Sequence, residues 1–498
     1  MTTTAKLGNL EHLKTIFSNI NLTSHQEKYL TNFIHNYIQK TNKSQEIAQA
    51  NRLILADNKS LVKFKLPLKE LYYPLVTKQS YGSKIQDINN NEYIDLVMGY
   101  GVNLLGHNPP FIKQAIVEQL DRGIQLGSQP ELIGEVANLI RELTGVERVA
   151  FSNTGTEAVM TAIRLARSCT KRKKIAIFTK SYHGHADGVL AYSLDLKLPN
   201  ILEKLGGNIL TSRINSLAFP ASYGIPYSAT KNILMLEYGN PQSLNIIKAN
   251  RGKLAAVLVE PVQTSNLALQ PQEFLHQLRQ LTQRSGIALI FDEMVTGFRI
   301  HPGGAQAWFE IEADIVTYGK VVGGGLPIGI IAGKAQYLDA IDGGMWNYGD
   351  LSFPQTERTI FAGTYCKHPL AIAAAKATLE YLKAQGATLQ EELNIRTSKF
   401  VNTLNHYFEQ EQLPIYLTNF GSVVAPTNRK DDSTRDSANQ FKLSLFLDLL
   451  FYHLIVKGIM PRGHRGFLST AHTEADLDCI IQAIKDSISE LRQGEFLP

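Results

Sequence analysis

Cysteine is scarce in this chain. Its 498 residues include three, Cys169, Cys366 and Cys479. An odd number at such wide spacing argues against a disulfide framework and against a zinc site. An excess of one charge is also missing. Fifty Lys and Arg stand against 45 Asp and Glu, giving a net charge of +5 with no basic stripe, so nucleic acid is not implied as a partner. No uncharged apolar run reaches the roughly 18 residues that a membrane-spanning helix needs. The first ten residues lack a basic segment followed by an apolar run, so neither a signal peptide nor a membrane partner is expected, and the expected location is the cytoplasm. What remains is globular in composition, 44% apolar and 19% charged, and long enough for about two to four structural units.

Residues 1–60 are polar, with apolar positions at helical spacing in 10–20 and at Tyr29, Phe33, Ile34, Tyr37 and Ile38, which predicts a small helical extension. A short antiparallel pair is expected at 84–87 and 93–97 around the turn Asn89-Asn90-Asn91. From about 110 to 335, buried-strand patterns at 146–152, 174–179, 255–259, 287–291 and 315–318 alternate with helical ones at 156–167 and 272–284. That alternation implies a mostly parallel sheet covered on both faces. A helix over 371–384 then opens a smaller α/β region that ends in a helix over 477–492, with an exposed loop expected at 427–440.

In an open parallel sheet, ligands bind beyond the carboxyl ends of the strands. The informative residues fall at those ends. Gly155 and Thr156 stand where a strand meets a helix, and free N–H groups with the positive end of the helix dipole suit a phosphate. The plainer reading is an N-cap. Tyr182 and His183 follow another strand and suit a planar ring lying against them; with His185 and Asp187 they also suggest a metal, but no further cluster has ligand spacing, so no metal is expected. Asp292 ends a buried strand, where a carboxylate needs a partner, either an arginine such as Arg299 or a protonated ring nitrogen. A glycosidase pair of Asp292 with Glu293 is poor, because adjacent strand residues point to opposite faces. Lys320 ends a strand before Gly323-Gly324-Gly325, where lost solvation would lower its pKa as a Schiff-base lysine requires; the plainer reading is a solvated loop lysine. No Walker phosphate loop occurs. A phosphate cup, a stacking residue, a carboxylate and a lysine together point to pyridoxal 5′-phosphate (PLP).

At these segments the chain resembles the class III aminotransferases of fold type I, on the branch that contains glutamate-1-semialdehyde 2,1-aminomutase. The matching stretches are 153–167, 182–187, 259–263 (VEPVQ), 291–299, 318–329, 361–369 (FAGTYCKHP) and 467–473 (FLSTAHT). The extension and 345–354 (MWNYGDLSFP) are similar to the aminotransferase domains of hybrid polyketide–nonribosomal peptide synthases. The resemblance implies an α/β fold of the aspartate aminotransferase type. It implies a helical extension at 1–60, a segment at 61–109 contributing to the small domain, a large PLP-binding domain at 110–368 and a small C-terminal domain at 369–498. It assigns Lys320 to covalent cofactor attachment, Asp292 to the pyridinium nitrogen, Gly155 and Thr156 to the phosphate, and Tyr182, with His183 beside it, to the ring. Met294 falls on the opposite ring face, and Glu260 and Gln263 near the cofactor edge. Thr364 reaches the phosphate of a neighbouring subunit, which implies a homodimer with shared active sites.

The implied activity is amino transfer from an amino acid donor to a carbonyl acceptor, a β-ketoacyl chain on an acyl carrier protein or an aldehyde. The rival is the aminomutase, whose substrate carries a free carboxylate held by an arginine before the first strand. The corresponding residues 64–74 (FKLPLKELYYP) hold Lys65 and Lys69 but no arginine, and lysine replaces a bidentate guanidinium poorly. Tyr72, Tyr73, Tyr100 and Trp346 suggest a roomier aromatic pocket. A non-catalytic binding module on the same fold is a third reading, disfavoured by the intact pair Lys320 and Asp292.

Overall fold

The computed structural model describes residues 22–57, 64–193, 216–427, 437–463 and 465–498. The helix expected at 10–20 and most of the loop expected at 427–440 lie outside these residues. The first helix, α1 (Ser24–Asn51), begins at a capping box in which Thr23 and Gln26 satisfy each other's amides. It kinks at Thr41, whose hydroxyl turns back to the Tyr37 carbonyl. Leu30, Phe33 and Tyr37 form its buried face. Phe33 stacks on His453 with ring centroids 4.0 Å apart, so the extension is packed on the C-terminal region.

Strands β1 (Thr77–Tyr81), β2 (Lys84–Asp87) and β3 (Glu92–Asp95) pair antiparallel in order. Asp87 accepts the amides of Asn89 and Asn91 and so shapes the expected asparagine turn.

The central sheet has seven strands: β4 (Arg148–Ser152), β5 (Lys174–Phe178), β6 (Ile233–Leu236), β7 (Leu254–Val259), β8 (Ala288–Asp292), β9 (Ile315–Gly319) and β10 (Gly329–Gly333). Their order across the sheet is β4-β10-β9-β8-β7-β5-β6. All run parallel except β10, which is antiparallel to both β4 and β9. The sequence reading missed β10 and β6. Every residue of β7, β8 and β9 is buried, the continuous apolar character that a sheet covered on both faces demands. Helices α2 (Gly155–Thr170) and α3 (Gln272–Ser285) supply part of that cover. Beyond them α4 (Pro369–Gln385) starts on a proline and leads into α5 (Thr388–Gln410). The hairpin β11 (Tyr416–Phe420) and β12 (Val423–Thr427), then α6 (Ser437–Val456), follow. Two short strands, β13 (Ile459–Met460) and β14 (Gly466–Phe467), join β3 and β12, and α7 (Glu474–Gln493) ends the chain. Among the described residues no helix is long and apolar enough to cross a membrane.

Candidate active site

The carboxyl ends of β7 and β8 lie side by side, since Phe291 pairs with Val259 in register. Glu260 and Asp292 are therefore neighbours, and β9, paired to β8 on the other side, delivers Lys320. Asp292 is held from one side by His183, with Nδ1 to Oδ2 at 2.8 Å and the two side chains 1% and 3% exposed. Its other oxygen accepts the Met294 amide at 3.2 Å. His183 Nε2 is buried with no hydrogen-bond partner, a polar orphan inside the cleft. Glu260 accepts from the Tyr182 amide at 3.1 Å and from the Thr264 hydroxyl at 3.3 Å. Desolvation pushes its carboxyl up to about 7, against the pull of His183 and with a push from Asp292. Burial lowers the Lys320 pKa, while Asp292 and Glu260 raise it and Arg462 and Arg299 lower it further. A larger share of Lys320 is thus a neutral, nucleophilic amine at a given pH.

The paired alternative for Asp292 is corrected by this geometry. Arg299 does not meet Asp292. It donates to the Ser422 hydroxyl at 2.7 Å, the Leu468 carbonyl at 3.1 Å and the Gly101 carbonyl at 2.7 Å, which ties the central sheet to the C-terminal region. Glu293 points the opposite way from Asp292, as strand alternation requires, and caps a short helix through the amides of Ala305 and Gln306.

At the start of α2, Thr154 and Glu157 form a capping box. The amides of Gly155 and Thr156 find no protein acceptor among the described residues. The N-cap reading and the anion reading therefore both hold, because different amides serve each. Met294 Sδ lies where a side chain on Gly155 or Gly319 would begin, 2.6 Å and 2.8 Å from a built Cβ. Gly184, with φ +86°, lets the 182–185 loop lie against Thr156, since a Cβ there would stand 2.5 Å from the Thr156 hydroxyl.

One further glycine escaped the sequence reading. A Cβ on Gly329 would stand 2.2 Å from the Thr154 carbonyl oxygen, a backbone atom that cannot swing away. The signal was the apolar run after Pro327, bounded by glycines, which becomes β10. Gly329→Ala is expected to destabilise the fold by about 1–3 kcal/mol and to displace the start of α2. Thermal unfolding and cofactor affinity measured together check this. A variant with unchanged melting temperature and affinity would show that β10 has slack.

Tyr182, Tyr100, Trp346 and Thr364 are exposed, while Gln263 is buried and spends its amide on the Thr179 carbonyl and Ser181 hydroxyl. Two expected pocket aromatics lie elsewhere. The Tyr73 hydroxyl meets Thr41 on α1, and Tyr72 stacks on Phe64 and accepts from the Lys65 amide. Lys65 is itself buried in an ion pair with Asp448.

An amine, a carboxylate and an open helix N-terminus thus meet in one cleft, with a half-exposed aromatic beside them. The family Aminotransferase class-III matches residues 68–442. The chain belongs to that family. It is 34% identical over 425 residues to a glutamate-1-semialdehyde 2,1-aminomutase of Ruminiclostridium cellulolyticum, across 84% of this chain and 91% of that protein. Its fold matches an omega-transaminase from Sphaerobacter thermophilus with TM-score 0.77 and 24% identity, covering 90% of this chain and 98% of the other. It matches a beta-phenylalanine aminotransferase from Variovorax paradoxus with TM-score 0.75 and 25% identity, covering 95% and 99%. Class-III aminotransferases are PLP enzymes of fold type I. PLP presents an aldehyde, a basic ring nitrogen and a phosphate, and this class-III site offers an amine, a carboxylate and free helix amides to match. The residues present fit the cofactor.

Proposed function

We propose that this chain moves an amino group from an α-amino acid to a carbonyl acceptor that carries no free carboxylate. A β-ketoacyl thioester on a carrier protein, or a hydrophobic aldehyde, fits that description. In this reading Lys320 holds the cofactor covalently, Asp292 faces its ring nitrogen, and Gly155 and Thr156 bind its phosphate. Tyr182 covers one ring face and Met294 the other, with Glu260 at the edge and Thr364 serving the partner subunit of a homodimer. Bound PLP supplies an electron-accepting ring. Asp292, fixed by His183, keeps that ring's nitrogen protonated, and the neutral Lys320 amine takes a proton from the substrate carbon and returns it.

The observation that carries the acceptor assignment is Lys65. Its ammonium is buried against Asp448 and also donates to the Ser444 hydroxyl at 3.2 Å, so it is already engaged. Lys69 is exposed. Residues 64–74 therefore present no buried guanidinium to an acceptor's carboxylate. A charged hydrogen bond contributes about 1.5–3 kcal/mol, roughly 10- to 150-fold. Accordingly kcat/KM is expected to be greater for a β-ketoacyl thioester or hydrophobic aldehyde than for glutamate 1-semialdehyde. Side-by-side kinetics test it. Efficient conversion of glutamate 1-semialdehyde to 5-aminolevulinate, with no activity on the thioester, would restore the aminomutase reading that the curated relative favours.

A further inference from the structure

A charge buried without a counter-ion loses its hydration and gains no Coulomb attraction in return. Arg299 is in that position. It is among the largest fully buried side chains, and among the described residues no carboxylate pairs with it, whereas Arg148 and Arg279 meet aspartates. Its two terminal nitrogens are spent on neutral oxygens, those of Ser422, Leu468 and Gly101, and its Nε has no partner. Burial lowers its pKa to about 9, which still leaves it a cation at neutral pH.

The Gly101 carbonyl ends a turn that needs support. Met98, Gly99, Tyr100 and Gly101 have φ of 44°, 61°, 59° and 92°, a left-handed path that side chains disfavour and that persists only where its surroundings impose it. Asp95 holds the start through the amides of Val97 and Met98, and Arg299 holds the end. Phe467 closes the arrangement. The Arg299 guanidinium lies 5.3 Å from its ring centroid, and a Cβ on Gly101 would stand 2.8 Å from the same ring. So fixed, the turn presents a Tyr100 ring that is 48% exposed, with the Arg462 guanidinium 5.0 Å from its centroid.

The charge of Arg299 also reaches the amine. Lys320 is desolvated by burial, drawn toward its cationic form by Asp292 and Glu260, and pushed away from it by Arg462 and Arg299. A neutral donor could tie the same oxygens without that push, so the tie by itself does not account for a buried cation. Departures from the pairing rule collect at functional positions.

We propose that Arg299 is a positioning residue for amino transfer, acting through its fork, which fixes the Tyr100 turn against the Asp292–Lys320 centre, and through a charge that no carboxylate neutralises. The assignment rests on the aminotransferase reading above and touches neither cofactor nor substrate.

The test compares Arg299→Gln, which removes the charge and keeps a donor, with Arg299→Lys, which keeps the charge and loses the fork. In the PLP-loaded protein, a pH titration of the cofactor's absorbance reads proton affinity at the Lys320 nitrogen. Arg299→Gln should move the midpoint up by about one pH unit, the sign that follows from removing a like charge, while Arg299→Lys leaves it within about 0.3 unit. With one ammonium in place of the fork, Arg299→Lys should raise the KM for the carbonyl acceptor about 3- to 10-fold and change kcat less. A residue that only stabilises the fold would lower the active fraction and move neither reading. An unmoved midpoint in Arg299→Gln, an equal shift in Arg299→Lys, or an unchanged KM in Arg299→Lys would each overturn the assignment. If the glutamine variant does not fold, the two readings on Arg299→Lys decide alone. If the wild type binds no PLP or moves no amino group, the proposed function fails. The pH dependence of Lys320 acetylation in the PLP-free chain, followed by peptide mass analysis, then still reads the charge of Arg299.

Discussion

Lys320→Ala is expected to abolish covalent attachment of PLP and to lower amino transfer by at least the roughly 10²–10⁴-fold that a positioned proton-transfer group contributes. The structural ground is the amine's place at the end of β9, where burial lowers its pKa while Asp292 and Glu260 stand near enough to oppose the shift. The substitution is gentle on the backbone. Lys320 has φ +49°, a strained conformation for any residue with a Cβ, and alanine keeps that Cβ. Lys320→Gly should therefore fold at least as well as Lys320→Ala, by about 1 kcal/mol. Borohydride reduction followed by peptide mass analysis locates the modified lysine in the wild type and its absence in the variants. Trapping at wild-type stoichiometry in Lys320→Ala would mean that another lysine carries the cofactor.

Asp292→Asn should leave the fold and cofactor attachment largely intact and reduce kcat by about 10²–10³-fold, the usual cost of removing one preorganised charge partner. An asparagine oxygen can still accept from His183 Nδ1 or from the Met294 amide, so the geometry around the position is kept. The lost charge has a second, signed consequence. Asp292 is one of the groups holding the Glu260 carboxyl up near 7, so the variant's Glu260 should titrate at lower pH than the wild type's. A pH titration of the bound cofactor's absorbance reads that displacement separately from the rate. Near-normal turnover would make Asp292 a structural partner of His183 and no more.

Much of the fold was legible because its signals are local. The runs that became β5, β7, β8 and β9 were largely apolar and flanked by polar or glycine-bearing turns, and the Gln272–Ser285 helix showed its amphipathic period. The short strand Gly329–Gly333 was missed because its glycines weaken the strand pattern, and one of them, Gly329, is what allows it to lie against the start of α2. Tyr72 and Tyr73 misled for a related reason. An aromatic pair looks the same in sequence whether it lines a pocket or, as here, meets an added helix through Tyr73 and the neighbouring residues Phe64 and Lys65 through Tyr72.

The amino-acid sequence by itself determined the alternating α/β architecture and the residue types that stand at the strand ends, Asp292, Lys320 and the Gly155-Thr156 step among them. Periodicity and turn chemistry act over a few residues, and a chain read in order displays them directly. Only the tertiary structure decided who meets whom. His183 reaches Asp292 across 109 positions, Arg299 reaches Gly101 across 198, and Lys65 reaches Asp448 across 383. The buried amine, the carboxyl held near 7 and the guanidinium stacked over Tyr100 have the same origin. Desolvation and pairing depend on what the whole fold packs around a group, and no local period in the chain encodes that.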